Sequence, residues 1–310
     1  MPVPNLPKGI VPLFETPFLE NGAIDYESLP GLIHYSIDAG VNGLTAPLVA
    51  SEVQALTKEE RAEIVSVAAK TIAGRVPFIV GASSEDPELC RFFAQLAEKV
   101  AADAYLVAVP NPLYGRTDDL LAYFQSIVAA SSAPLIIQDL QWNGPGLDLD
   151  TMRRLRDALP TLVGLKIETV PAGAKYTIVR EAFGPDFYIS GGWAVPQLIE
   201  ALDRGVDAMI PECALAPAYA AIYKAYSSGN RDEAIRIFRE LVPVLVFSNQ
   251  ELYHSVAFFK RMLKRKGLLR TAALRSPGYT WDRYSSRIAD EIIDYYLALE
   301  SRLAKRSPPA

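Results

Sequence analysis

The sequence predicts an α/β fold in which eight short strands alternate with helices around one closed sheet. Short aliphatic runs alternate with amphipathic stretches over roughly the first 225 residues, the pattern of repeated strand-helix units. The glycine signature of a dinucleotide-binding open sheet is absent from the sequence. Together these observations favour a TIM (β/α)8 barrel with a C-terminal helical extension.

The predicted strands are continuously apolar, as expected of parallel strands that are covered on both faces. They fall at 10–13, 43–47, 78–80, 104–109, 135–138, 163–167, 187–190 and 208–210. Helices are predicted near 26–39, 58–73, 86–100, 118–131, 148–158, 173–183, 196–204 and 215–227. Thr57 and Glu60 have the spacing of a capping box, and Asp86-Pro87 places proline at a first helical position.

Only helical periodicity follows residue 229, with helices predicted at 231–247, 251–267 and 283–304. We therefore divide the chain into a barrel over 1–229 and a helical extension over 230–310 that packs on the barrel.

Composition narrows the class of function. The chain has 310 residues, 50% of them hydrophobic, and a formal net charge of −5 with acids and bases mixed, which disfavours a nucleic-acid partner. Cys90 and Cys213 stand far apart, and His34 and His254 fall in predicted helices, so neither a metal site nor a cofactor is expected. With no run of ~20 apolar residues and no signal-peptide core, we expect a cytoplasmic protein without a membrane partner.

Lys166 is the most informative residue for function. It lies in an aliphatic run typical of a buried strand, where an ammonium group is costly unless it is paired. Desolvation favours the neutral amine, which is a nucleophile toward ketones. Glu168 lies two residues on and therefore points to the same face of the strand. The pair indicates Schiff-base chemistry with an acid/base partner, and a structural ion pair at a strand end is the alternative.

Short sequence landmarks, one of them the strand of Lys166, occur in order along the chain from Gly9 to about Glu300. They are Thr16-Pro17-Phe18, Asn21-Gly22, 39–44, Ser51-Glu52, 76–81, 163–166, Ser190-Gly191 and 260–267. In this order the chain resembles the dihydrodipicolinate synthase / N-acetylneuraminate lyase superfamily of class I, Schiff-base-forming lyases. The resemblance implies a small-molecule keto acid substrate, an imine on Lys166 and a homo-oligomer, either a tetramer or a dimer.

The chain also departs from the family pattern. The family usually has Thr-Thr-Gly-Glu after the second strand to hold the keto-acid carboxylate, whereas segment 49–52 reads Val-Ala-Ser-Glu. Ser51 and nearby backbone N–H groups would then hold the carboxylate. The family's proton-relay tyrosine falls near Tyr114, although an alternative alignment places Pro112 there. Loop 140–146 lacks the arginine that dihydrodipicolinate synthases carry, which argues against that activity.

Gln138-Asp139 and the segment 166–169 are similar to the branch that contains 2-keto-3-deoxyarabonate dehydratase. The resemblance implies a dehydratase of a 2-keto-3-deoxy sugar acid, with Glu168 as the preferred base for the C3 proton. A pyruvate-dependent aldolase of the same family is the alternative, and a non-catalytic ligand-binding member is the third.

The site residues are predicted at the carboxyl ends of the strands, where active sites of such barrels form. The predicted catalytic residues are Lys166, Glu168 and Tyr114. The predicted substrate-binding residues are Ser51, Glu52, Ala50, Asp139, Gly191, Gly192 and Trp193, with Trp142 as a further aromatic at the pocket mouth. Ser51 equally suits a loop cap, and Glu52 a brace of that loop. Glu15 and Glu212 end the first and eighth strands and are weaker candidates for facing the substrate.

Overall fold

The computed structural model describes residues 6–141, 144–193, 195–275 and 279–306, so Trp142 lies outside the described residues. Eight parallel strands are present: β1 (Gly9–Ile10), β2 (Leu44–Ala46), β3 (Phe78–Gly81), β4 (Ala104–Ala108), β5 (Leu135–Asp139), β6 (Leu162–Ile167), β7 (Tyr188–Gly191) and β8 (Ala208–Met209). Their order in the sheet is β1-β8-β7-β6-β5-β4-β3-β2. Each follows a predicted run to within a few residues.

The sheet closes between its two terminal strands. Beyond β1, Leu13 forms parallel bridges both to Thr45 in β2 and to Glu212 after β8. Thr45 N–H also donates to Pro12 O at 3.0 Å. The predicted TIM barrel is therefore confirmed.

A helix follows each strand and covers the outside of the barrel. These helices are α1 (Leu29–Asp38), α2 (Lys58–Ile72), α3 (Pro87–Lys99), α4 (Thr117–Val128), α5 (Leu149–Ala158), α6 (Gly173–Phe183), α7 (Leu198–Asp203) and α8 (Ala216–Ser227). The predicted capping box is confirmed, because Glu60 N–H donates to Thr57 Oγ1 and Thr57 N–H donates to Glu60 Oε2. Asp86 caps α3 through the Glu88 N–H, with Pro87 at the first helical position.

The barrel interior is filled by a small apolar cluster distinct from the larger core between sheet and helices. Its members include Val11, Leu13, Ile79, Leu106, Ile136, Tyr188 and Ile210. The Tyr188 hydroxyl donates to Pro7 O at 3.0 Å, near the amino-terminal end of the barrel. This apolar filling closes the barrel interior below the cavity described in the next section.

Three more helices follow: α9 (Arg231–Ser248), α10 (Leu252–Arg265) and α11 (Arg283–Arg306). Buried lysines attach α10 to its surroundings, since Lys260 pairs with Glu52 of the barrel and Lys266 donates to Ala214 O at 2.8 Å. The division of the chain at residue 229 stays a prediction. No helix among the described residues combines the length and the hydropathy that a bilayer span requires.

Candidate active site

Lys166 points into the barrel because its neighbours point out. Leu165 and Ile167 belong to the core between sheet and helices, so strand alternation turns Lys166 to the inner face. The residue is 2% exposed, and its Nζ lies 2.9 Å from Glu168 Oε2. Glu168 is 7% exposed. The lysine-carboxylate pair that the sequence indicates is thus present inside the barrel.

Three neighbouring strands fix the Glu168 carboxylate. Gln138 Nε2, at the end of β5, donates to Glu168 Oε2. The backbone N–H of Trp193, after β7, donates to Glu168 Oε1 at 2.6 Å. The Glu168 N–H itself donates to Asp139 O at 3.0 Å. The carboxylate therefore accepts from donors on both sides of β6 and from the lysine, so its orientation is tightly defined.

Gly192 permits this arrangement because its backbone passes very close to both side chains. A Cβ at this position would overlap Glu168 Oε1 and lie 2.7 Å from Lys166 Cε. Gly191 faces the other way, where a Cβ would meet the Tyr176 hydroxyl and lie 2.7 Å from Met209 Sδ. Only Gly192 of this pair lines the cavity described below.

We expect Gly192→Ala to lower kcat by about 10²-fold, since a displacement of about 1 Å at the reacting groups has effects of that size. Steady-state kinetics and the thermal midpoint of unfolding together check this. Gly31→Ala in α1 is the matched control, because a Cβ there meets nothing within 4 Å. Equal activity of the two variants would contradict the requirement for glycine at position 192.

A cavity of about 630 Å³, counted with its mouth, opens at the carboxyl-terminal end of the barrel. Lys166 and Glu168 lie in its wall with three more predicted site residues, Ala50, Gly192 and Trp193. Its other polar lining residues are Glu15, Gln138, Glu212, Asn249 and Ser255. The remaining lining is mostly apolar, as is usual for a small-molecule site.

Part of the cavity wall comes from the helical extension, which the sequence analysis did not assign to the site. Asn249, Leu252, Ser255, Val256 and Phe259 cover the barrel mouth, and Asn249 Nδ2 donates to Trp193 O at 3.1 Å. The amphipathic sequence of α10 indicates that one face of the helix is buried. It does not indicate which part of the protein that face covers.

The predicted carboxylate-binding residues Ser51 and Glu52 lie behind the cavity wall. The Ser51 hydroxyl donates to Phe14 O at 2.8 Å and accepts from the Leu48 N–H at 3.2 Å. Glu52 forms an ion pair with Lys260 and accepts from the Arg275 N–H at 2.9 Å. Both side chains are tied into the segment after β2 and do not line the cavity.

The half-buried Tyr114 and the buried Asp139 form a second polar group next to the cavity. The Tyr114 hydroxyl donates to Asp139 Oδ1 at 3.0 Å, and Asp139 Oδ2 lies 2.5 Å from Lys175 Nζ. Burial, and then the negative charge of Asp139, raise the pKa of Tyr114 above its ordinary value. The structure brings Tyr114 to Asp139 rather than to Lys166. Asp139 in turn positions Glu168 through its backbone oxygen.

Two further carboxyl groups, those of Glu15 and Glu212, line the cavity on the β1–β8 side. Burial raises the pKa of Glu15 to about 7, although the Cys213 thiol donates to Glu15 Oε2 at 3.1 Å and opposes the shift. Burial, and then the neighbouring Glu15, raise the pKa of Glu212 well above its ordinary value. The site therefore holds carboxyl groups in two contrasting environments, one facing a lysine and the other facing a second carboxyl.

A closed barrel with a buried lysine on β6, paired with a carboxylate inside a cavity, defines a lyase of the Schiff-base-forming class. A model of the Dihydrodipicolinate synthetase family matches residues 6–293, and the chain belongs to this family. The superfamily resemblance drawn from the sequence is therefore confirmed.

Curated relatives and solved structures agree with this family. The chain is 31% identical to the 4-hydroxy-tetrahydrodipicolinate synthase of Bartonella quintana (strain Toulouse) over 243 residues, which cover 76% of this chain and 81% of the relative. The structure superposes on the 4-hydroxy-tetrahydrodipicolinate synthase of Methylacidiphilum fumariolicum SolV with a TM-score of 0.85 at 22% identity, covering 96% and 98% of the chains. It matches N-acetylneuraminate lyase of Mycoplasma synoviae with a TM-score of 0.81 at 20% identity, covering 94% and 98%. At these identities the structural likeness shows the fold.

Proposed function

We propose that this lyase dehydrates a 2-keto-3-deoxy sugar acid through an imine on Lys166. The single observation that carries the proposal is the contact between Lys166 Nζ and Glu168 Oε2 at 2.9 Å in the wall of a cavity whose lining is mostly apolar. Because Glu168 contacts the lysine amine, we propose that it is the base that reaches C3 when C2 is bonded to Lys166.

In the proposed reaction Lys166 Nζ adds to the C2 ketone, and loss of water gives an iminium. The iminium withdraws electrons from C3, so Glu168 removes a C3 proton and an enamine forms. The enamine electrons then form the C3–C4 double bond as the C4 hydroxyl departs. Hydrolysis of the regenerated iminium releases the dehydrated keto acid and the free lysine.

We place the substrate carboxylate against the segment after β2. The Ser51 and Glu52 N–H groups already donate to Leu48 O and Val49 O, at 2.9 and 3.0 Å. The amides of Val49 and Ala50, two residues that line the cavity, are therefore the proposed donors. Ser51 and Glu52 are proposed to hold this segment in place. Asp139 and Tyr114 are proposed to position Glu168, with Tyr114 as the candidate proton relay.

We expect Glu168→Gln to lower kcat for dehydration by about 10²- to 10⁴-fold, the usual contribution of a general base. Glutamine keeps the shape and can still bond to Lys166, so the imine should continue to form. The check is turnover together with borohydride trapping on the same preparation. Turnover equal to wild type would remove Glu168 from the proposed mechanism.

The proposal as a whole is tested in two steps. Borohydride added with pyruvate should leave one reduced pyruvyl group on Lys166, identified by peptide mass mapping. A set of 2-keto-3-deoxy sugar acids is then screened, with pyruvate and dehydrated keto acid quantified separately. Without an adduct the imine is wrong, and pyruvate release in place of dehydration would establish the aldolase instead.

A pyruvate-dependent aldolase or synthase is the second candidate, favoured by the names of the relatives. The Chelativorans sp. (strain BNC1) relative, 30% identical over 87% of this chain, is a 4-hydroxy-tetrahydrodipicolinate synthase. The absence of arginine from the sequence of loop 140–146 argues against that activity here. A non-catalytic ligand-binding role is the remaining alternative, and the same adduct experiment separates it from both enzymes.

We also propose a cytoplasmic homo-oligomer, either a tetramer or a dimer, on the family resemblance. Exposed apolar side chains on the helical extension support a subunit contact there, with Val246 69% and Tyr253 41% exposed. Light scattering on the purified chain gives the assembly mass directly.

A further inference from the structure

Departure of the C4 hydroxyl requires an acid, since hydroxide is a poor leaving group at neutral pH. This inference rests on the proposed dehydration. Among the described residues that line the cavity, the titratable side chains are Lys166, Glu168, Glu15 and Glu212. Lys166 is consumed as the imine and Glu168 is the proposed base. The acid should therefore come from the β1–β8 side of the cavity.

Glu212 lies in the cavity wall and has a carboxyl oxygen that could bond to a ligand. It follows β8, bridges to Leu13 beyond β1, and is 8% exposed. The Tyr219 hydroxyl donates to Glu212 Oε2 at 3.4 Å, a long hydrogen bond. Glu212 Oε1 is buried and has no hydrogen-bond partner among the described residues. A buried, unpartnered carboxyl oxygen in the wall of a ligand cavity is costly unless a ligand bonds to it.

The surroundings of Glu212 favour its neutral form at neutral pH. Desolvation acts first, and Glu15 adds the repulsion of a second carboxyl group. The Glu168 carboxylate has different surroundings, since it contacts a lysine and accepts from two N–H donors. Two carboxyl groups whose environments differ in this way are suited to opposite roles as acid and base. The other titratable groups that interact with the Glu15–Glu212 pair are Tyr35, Cys213, Tyr219, Lys260 and Lys266.

We propose that Glu212 is a further catalytic residue, the carboxylic acid that protonates the hydroxyl leaving C4. The C4–O bond breaks with its electron pair on oxygen, and that oxygen takes the proton of Glu212 and departs as water. The C3 proton is at that stage on Glu168. Proton exchange with solvent then returns Glu168 to its anion and Glu212 to its acid, so no other reactant is consumed.

The test uses Glu212→Gln in the full chain. Glutamine keeps the size of the side chain but has no acidic proton, so kcat for dehydration should fall by about 10²- to 10⁴-fold. KM should change little, because proton donation to the leaving group is a transition-state interaction. Borohydride trapping at Lys166 should stay at the wild-type level. Glu181→Gln is the matched control on the exposed face of α6 and should keep wild-type turnover.

The pH dependence of kcat separates this chemistry from a packing role. Wild-type kcat should decline on the alkaline side as Glu212 loses its proton. Glu15→Gln removes a like charge, which lowers the pKa of Glu212, so the decline should move to lower pH. An alkaline limb unmoved in Glu15→Gln would overturn the proposal.

Two outcomes with Glu212→Gln would also overturn it. Wild-type turnover would show that the acid is elsewhere, and parallel loss of turnover and adduct would assign Glu212 to packing. If the proposed function itself were wrong, the wild-type enzyme would give a different result. It would either form no adduct at Lys166 or release pyruvate from the substrate.

Discussion

Replacing Lys166 by methionine is expected to abolish imine formation and to reduce turnover by about 10⁴-fold or more, as with other covalent nucleophiles. Methionine retains most of the side-chain volume in a cavity whose lining is largely apolar. The amine is the group that condenses with the ketone, so no intermediate can form without it. Gln138 and the Trp193 N–H still donate to Glu168, which limits the damage to the fold.

Borohydride trapping with pyruvate, followed by peptide mapping, measures the first effect, and a single-turnover assay measures the second. Lys99→Met, on the exposed face of α3, is the control for the same side-chain change. Lys166→Arg serves as a second variant in case methionine unfolds the chain, since it keeps the charge beside Glu168 but cannot form an imine. An adduct that persists on another lysine of Lys166→Met would assign the nucleophile elsewhere.

The fold could be predicted from the sequence because each strand-helix unit carries its own local signal. Continuous apolar runs indicate strands covered on both faces, and caps such as Thr57-Glu60 mark the starts of helices. Because these patterns are local in sequence, they can be recognised without knowledge of the tertiary packing. The prediction of Lys166 beside Glu168 depended on the same kind of information, namely alternation along one strand.

The rest of the site depends on contacts between segments distant in sequence. Asn249 and Ser255 reach the cavity because α10 crosses the barrel mouth, and nothing local to these residues indicates it. The Ser51 hydroxyl bonds to Phe14 O, 37 residues away, while Ala50 beside it lines the cavity. Sequence could identify the segment after β2 as part of the site, but the direction of each side chain was fixed only by the folded backbone.

The buried pair Lys260–Glu52 joins the helical extension to the segment that we propose binds the substrate carboxylate. Each side chain is 1% exposed. Lys260 Nζ also donates to Ala273 O at 3.0 Å and lies 4.2 Å from the centre of the Phe18 ring. Burial lowers the pKa of Lys260, and the carboxylate of Glu52 opposes that shift. The Lys260 ammonium group therefore offsets part of the cost of burying the Glu52 carboxylate.

Lys260→Met should lower the free energy of unfolding by about 3–5 kcal/mol, because it removes one partner of a buried ion pair. The double variant Glu52→Gln/Lys260→Met should recover part of this loss, since it removes both charges together. Denaturant unfolding measures both variants, and Lys264→Met, exposed on the same helix, should stay within about 0.5 kcal/mol of wild type. If the single and double variants were equally destabilised, loss of the Lys260–Glu52 ion pair would not be the cause. In the variants that fold, KM should rise more than kcat falls. The reason is that Glu52 holds segment 49–52, which we propose contacts the substrate carboxylate. This segment is not proposed to contact the reacting carbons.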